Sequence, residues 1–259
     1  MNLDLTGKNA LVCGSTAGIG KAVAIELAEM GANLLLMARN EEKLKTAVSE
    51  MDSSKGQKHS YVVADFSDVA TVKSAVELIQ NPIHILINNT GGPPGGPIAD
   101  ADVSEFVSAF SMHLLCNHTL VQGVKKGMID SGYGRIINII STSVKIPLTG
   151  LGVSNTVRGA VGNWAKTMAN ELGVHGITVN NVLPGATATE RLRSIIESKA
   201  AKTGKSVKEI ETWFDDAVPM KRVAEPYEVA AAAAFLASPA ASYINGINVP
   251  VDGGRTGSL

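Results

Sequence analysis

Seven short aliphatic or β-branched runs recur along this chain, separated by longer segments of helical periodicity. The runs are Ala10 to Cys13, Asn33 to Met37, Tyr61 to Ala64, Ile83 to Ile87, Arg135 to Ile140, Thr178 to Val182 and Asn248 to Val251. The second is apolar almost throughout rather than alternating, as a strand covered on both faces should be. Helical patterns lie between them at Lys21 to Met30 (closed by Gly31), Glu41 to Met51, Val69 to Ile79, Val103 to Met128, Ser154 to Gly173 and Tyr227 to Ala237. This alternation predicts an α/β fold of the Rossmann type, a doubly wound parallel sheet of about seven strands with helices on both faces. No linker or composition shift divides residues 1–259, so a single domain is expected. One charged, helix-prone stretch, Thr189 to Val223, follows the sixth run, where open α/β sheets bind ligands. It reads as a helical substrate lid, with a solvated helix pair as the alternative. Its Trp213 and Phe214 suggest an apolar wall, while Leu192, Ile195 and Ile196 equally suit a small core.

Composition narrows the partners. Hydrophobic residues make up 45% of the 259, ample for a sizeable core, and the formal net charge is −1. Neither nucleic acid nor an anionic membrane surface is an expected partner at that charge. No apolar run approaches the roughly 20 residues of a spanning helix. Met1-Asn2-Leu3-Asp4-Leu5 lacks the basic and apolar regions of a signal peptide. Cys13 and Cys116 make neither a disulfide framework nor a zinc-ligand spacing, so two buried, reduced thiols in a cytoplasmic protein without a metal are expected.

The first run leads into Gly14-Ser15-Thr16-Ala17-Gly18-Ile19-Gly20, a glycine loop between strand and helix. Such a loop lets backbone N–H groups approach a pyrophosphate, and the helix N-terminus adds partial positive charge. The spacing is Gly14-x-x-x-Gly18-x-Gly20 rather than Gly-x-Gly-x-x-Gly. After the second run, a carboxylate would accept the ribose hydroxyls of NAD and repel a 2′-phosphate. This chain has Ala38-Arg39-Asn40 there. A guanidinium suits a phosphate, so NADP(H) is expected ahead of NAD(H), the other reading of Arg39 being a solvated surface side chain.

Four segments taken together carry a resemblance. The glycine loop is followed by Ile87-Asn88-Asn89-Thr90-Gly91, Asn138-Ile139-Ile140-Ser141 and Val182-Leu183-Pro184-Gly185. In order and spacing they resemble the short-chain dehydrogenase/reductase family, and 3-oxoacyl-carrier-protein reductases within it. The likeness extends to the segment Gly176 to Asn180, to the segment Ala224 to Ala230 and to Val251-Asp252-Gly253-Gly254. It implies that Asp65 and Phe66 contact adenine, that Asn89 and Gly91 line the cofactor, and that Pro184, Gly185 and Thr187 orient the nicotinamide. It also implies a homotetramer or dimer, joined through the helices Val103 to Met128 and Ser154 to Gly173.

At the catalytic positions the chain departs from the family. There a tyrosine protonates the alkoxide, a lysine lowers its pKa and holds the nicotinamide ribose, a serine polarises the carbonyl and an asparagine supports a proton relay. Here Ser141 keeps the serine position, but Ser154 falls on the tyrosine, Arg158 on the lysine and His113 on the asparagine. A phenol ionises near pH 10 and an aliphatic hydroxyl is a far weaker acid, so Ser154 is no simple substitute. Arg158 can bond ribose hydroxyls or stabilise an oxyanion, but it cannot shuttle a proton. His113 is the one side chain of the four with an unperturbed pKa near neutrality and could act as an acid through water, although a helix histidine is more often a packed or capped structural residue. Three functions fit: an NADP(H)-dependent oxidoreductase acting on a carbonyl or alcohol with a rearranged proton donor, a non-catalytic nicotinamide-nucleotide-binding protein, or a pocket turned to elimination or isomerisation.

Overall fold

The structure is a computed structural model and describes residues 1–258. Seven strands form one parallel sheet in the order β3-β2-β1-β4-β5-β6-β7. They are β1 (Asn9–Cys13), β2 (Asn33–Ala38), β3 (His59–Val63), β4 (Ile85–Asn88), β5 (Gly134–Ile139), β6 (Ile177–Pro184) and β7 (Asn248–Val251). The helices are α1 (Gly18–Glu29), α2 (Glu41–Ser49), α3 (Val69–Glu77), α4 (Val103–Phe110), α5 (Cys116–Ser131), α6 (Gly152–Leu172), α7 (Glu190–Thr203), α8 (Val207–Asp216) and α9 (Pro226–Ala237). Strand order reverses between β1 and β4, which opens a crevice at the carboxyl ends of these strands.

The sheet is a partition between two cores. Along β1, Ala10 and Val12 point to one face, with α1, α2 and α9, while Leu11 and Cys13 point to the other, with α3, α5 and α6. Both faces are dry, which is why β1 and β2 carry few polar residues. Cys13 and Cys116 are both free and buried on the second face, and burial pushes their thiols up, that of Cys116 to about 11.

A row of polar side chains, three of them buried and the last, Asn248, exposed, nevertheless crosses four strands. Asn88 Nδ2 donates to Asn138 Oδ1, Asn138 Nδ2 to Asn181 Oδ1, and Asn181 Nδ2 to Asn248 Oδ1, each at 2.8 Å. The four lie in register across β4, β5, β6 and β7. Each amide supplies both a donor and an acceptor, so the row is satisfied internally along its length. One end is open, since Asn88 Oδ1 is buried without a partner.

One helix expected from the sequence changes here, and the stretch whose reading was left open takes a definite form. The helix expected from Val103 to Met128 is interrupted, because Ser111–Leu115 forms a π-helical turn in which the Cys116 N–H reaches back to the Ser111 carbonyl. The wider turn carries one extra residue and turns His113 inward, leaving it 2% exposed. In the stretch Thr189 to Val223, α7 and α8 form a helical hairpin whose own small core contains Leu192, Ile196, Ala200 and Ile210, with Phe214 against it. Trp213 is 47% exposed and sits beneath the Lys199 ammonium, 3.1 Å from its ring centroid. No helix is long and apolar enough to cross a membrane among the described residues.

Candidate active site

The glycine loop packs backbone against backbone. Gly14 and Gly18 hold φ of +58° and +54°, and a Cβ on Gly20 would lie 2.1 Å from the Gly14 carbonyl oxygen. Only glycine fits that last position. Asn89, after β4, donates from Nδ2 to the Cys13 and Gly14 carbonyls at 3.2 and 3.3 Å, bracing the loop from below. Ser15 is fully buried beside the Met37 carbonyl, while Thr16 and Ile19 are partly open. The loop ends at Ala17, which offers no side-chain cap to α1, and the first turn of α1 carries no acidic residue. Its leading N–H groups thus have no side-chain partner, an arrangement suited to a diphosphate.

Further along the crevice, Arg39 is exposed directly after β2. Asn40 Oδ1 accepts the Lys43 N–H at 2.9 Å and caps α2, so this oxygen is spent on the helix. After β3, the Asp65 carboxylate accepts the Ser67 N–H at 2.9 Å; that bond, the Ser67 hydroxyl and then the charge of Arg39 hold it below the usual carboxylate range. Phe66 is buried beside it, and Gly91 is exposed after β4. At the end of β6, Pro184 leads into Gly185, where a Cβ would lie 2.8 Å from the Asp252 Cα. Thr187 is buried and its hydroxyl donates to the Gly185 carbonyl at 3.2 Å. The expected cofactor positions therefore line one edge of the sheet, and their residue types fit a dinucleotide with a phosphorylated adenosine ribose.

At the chemical end, Ser141 follows β5, and its Oγ accepts the Ser143 N–H at 3.1 Å. That bond orients the hydroxyl and leaves its hydrogen for another acceptor. Arg158 reaches in from α6 and donates from Nη1 to the Ile139 carbonyl at 3.1 Å, two residues before Ser141. Ser154 lies one turn earlier on α6, partly buried. Its neighbour Asn155 latches the helix start to the loop through two bonds with the Leu148 backbone.

His113 stands differently from expectation. Burial first, then the charges of Arg158 and Arg191, push its imidazole down to about 2. It is neutral here, with a buried Nε2 that has no partner, so the packed reading fits it better than that of an acid acting through water. The Arg158 guanidinium, pushed down to about 10 by burial and by Arg191, stays cationic at neutral pH. None of the groups on Ser141, Ser154, Arg158 and His113 therefore exchanges a proton readily near pH 7.

Two more residues enter the site from the fold alone. Arg191, on the first turn of α7, donates from Nη2 to the Pro93 carbonyl at 2.7 Å, nearly a hundred residues away in sequence. Gly92 leaves it room, since a Cβ there would lie 2.9 Å from Nη2. Ser143 contributes a buried hydroxyl without a partner beside Ser141. Nothing in the spacing of either residue signals the site.

Comparison with known proteins agrees with this geometry. Residues 14–256 match the family described as Enoyl-(Acyl carrier protein) reductase. Gluconate 5-dehydrogenase of Gluconobacter oxydans is 34% identical, over 98% of this chain and 97% of its own length. The chain belongs to the short-chain dehydrogenase/reductase family. The NADPH-dependent reductase BacG of Bacillus subtilis is 30% identical over 98% of this chain and 100% of its own. Among solved structures, L-sorbose reductase from Gluconobacter frateurii, complexed with NADPH and L-sorbose, superposes with a TM-score of 0.93 at 29% identity, covering 100% of both chains. Membership in this short-chain family accounts for the sheet order and the loop positions. Ser154 and Arg158 stand where the resemblance places the family's Tyr-x-x-x-Lys pair.

Proposed function

We propose that this chain is an NADP(H)-dependent oxidoreductase that interconverts a carbonyl and an alcohol on a small molecule, with Arg158 and Ser141 stabilising the oxyanion in place of a tyrosine that protonates it. The observation that carries this is the Arg158 guanidinium, held at the end of β5 by the Ile139 carbonyl, two residues from the free hydroxyl hydrogen of Ser141. The glycine loop and α1 N-terminus hold the diphosphate, Arg39 takes the 2′-phosphate, Asp65 and Phe66 flank the adenine, and Pro184 to Thr187 orient the nicotinamide. Bound NADPH supplies the hydride. As the C–H bond forms at the carbonyl carbon, the π electron pair moves to oxygen, where the Ser141 O–H and the Arg158 cation meet it. Water then protonates this alkoxide, because His113 is neutral and Arg158 keeps its protons. The two buried thiols suit a reducing, cytoplasmic setting. A second copy is the partner for α4, whose Val103, Val107 and Phe110 form an exposed stripe at i, i+4 and i+7.

One observation favours a non-catalytic nucleotide-binding reading: no side chain at the four catalytic positions is a proton donor near neutral pH. Fluorescence titration with NADPH and NADH, followed by turnover assays, separates the two. The oxidoreductase reading expects NADPH to bind at least about tenfold more tightly than NADH, as a guanidinium–phosphate contact commands, and turnover that Ser141→Ala strongly reduces. Turnover appearing only in the double variant Ser154→Tyr with Arg158→Lys marks the natural chain as a binding protein. No binding of either nucleotide sinks both readings.

A further inference from the structure

The oxidoreductase reading leaves the substrate unnamed, and the charges in the pocket narrow it. Resting on that reading, we propose that Arg158 and Arg191 form a subsite for a carboxylate carried by the substrate. Arg158 is 8% exposed, yet its Nη1 has one carbonyl partner and its buried Nε has none. No carboxylate answers its charge, for neither arginine takes part in an ion pair among the described residues. The charged neighbour that Arg158 does feel is Arg191, of the same sign. A buried cation facing a second cation, with donors unfilled, is costly unless an anion completes the site.

The same molecule shows what a structural arginine looks like. Arg135 is 3% exposed and also lacks an acidic partner. Its guanidinium, however, donates to the Gly134, Gly176 and Ser238 carbonyls and lies 4.2 Å from the Tyr133 ring centroid. No buried Arg135 atom is left over, whereas Arg158 keeps a buried Nε without a partner and His113 keeps Nε2 unpartnered. Ribose hydroxyls of a bound cofactor can satisfy hydrogen bonds on Arg158, but they bring no counter-charge.

Placement points to the substrate. Arg158 lies beside the end of β5, two residues before Ser141, and Arg191 is tied to Pro93 in the loop after β4, so the two reach the carboxyl ends of neighbouring strands from α6 and from the hairpin. Two planar guanidinium forks match a carboxylate in shape and charge. The tautomer of neutral His113 that carries its proton on Nε2 adds a third donor. The other anion that such a pair can hold is the cofactor's own diphosphate, and the experiment is built to tell them apart.

Three matched probe pairs, pyruvate and pyruvamide, acetoacetate and acetoacetamide, levulinate and levulinamide, place the anion at increasing distance from a ketone. Each is titrated calorimetrically into the NADPH-loaded protein at fixed ionic strength. In at least one pair the acid is expected to bind about tenfold or more tightly than its amide, as charge-assisted bonds to arginine command. Arg191→Gln, an exposed site, is expected to bring that acid down to the level of its amide while NADPH affinity changes less than about twofold. Arg158→Met is expected to abolish the same preference, with retained NADPH binding reporting a folded variant. Amides binding as well as acids, or neither binding in any pair, overturns the subsite. Loss of NADPH affinity in Arg191→Gln equal to the loss for the acid assigns the arginines to the diphosphate and overturns it too. Acid binding without NADPH oxidation leaves the subsite standing and removes the oxidoreductase reading; equal turnover of acid and amide does the reverse.

Discussion

At the scale of single residues, the site holds its histidine neutral and its arginine charged. The His113 imidazole is held at about 2 where an unfolded chain would have it near 6.5. Its folded value lies below the unfolded one, so the resulting stability is complete above pH 6.5 and is lost as pH falls from there toward 2. His113→Asn, which removes that proton sink from the unfolded state, is expected to lose less stability than wild type between pH 6.5 and 4.5. The difference is up to about 1.4 kcal/mol for each pH unit below 6.5, read from urea unfolding at each pH. Parallel pH profiles for the two proteins would show that His113 titrates normally in the folded site. Arg158, by contrast, is a charge the fold holds at a cost and that a ligand offsets, a common sign of a functional position.

At the scale of elements, strand ends and helix starts do the positioning. The α1 N-terminus is left free of side-chain caps, whereas α2, α3, α4, α7 and α8 are each capped by an Asn, Asp, Ser or Thr side chain. The α5 and α6 starts also lack such a cap, but only α1 follows the glycine loop, where a phosphate would bind. The π turn between α4 and α5 brings His113 under Arg158, a shift that a continuous α-helix would not make. The asparagine row ties β4, β5, β6 and β7 just below the carboxyl ends that carry the site. Asn138→Leu leaves the Asn88 amide and the Asn181 carbonyl oxygen buried without their partner. It is expected to cost about 2–4 kcal/mol, from two orphaned groups, measured by urea unfolding. A loss below about 0.5 kcal/mol would mean that the row is replaceable packing.

At the scale of the whole molecule, α4 is the surface proposed for self-association. Val103 is 75% exposed, Val107 62% and Phe110 39%, all along one stripe. Val107→Glu is expected to shift the species seen by light scattering from a dimer or tetramer toward the monomer; a wild-type monomer, or no change in the variant, removes that surface. Much of this molecule was written into local pattern. Apolar runs such as Asn33 to Met37 dictated buried parallel strands, because a strand covered on both faces has nowhere to place polar groups. The Gly14-x-x-x-Gly18-x-Gly20 spacing marked the nucleotide end, because only glycine tolerates those backbone approaches. That Ser154 and Arg158 stand where the resemblance places the tyrosine and lysine was equally legible in the sequence. Other features were not. The π turn adds a residue without any glycine or proline to announce it, and four asparagines scattered over 160 residues become a row only once register is set. Charge environment was decided last: His113 has an ordinary pKa in an extended chain, and only burial, with Arg158 and Arg191 adding to it, pushes that pKa down. Local sequence determined which elements form and where the cofactor edge lies, since those depend on side-chain type and spacing along the chain. The tertiary structure alone decided the basic pocket, since desolvation and like-charge proximity exist only between segments brought together by folding.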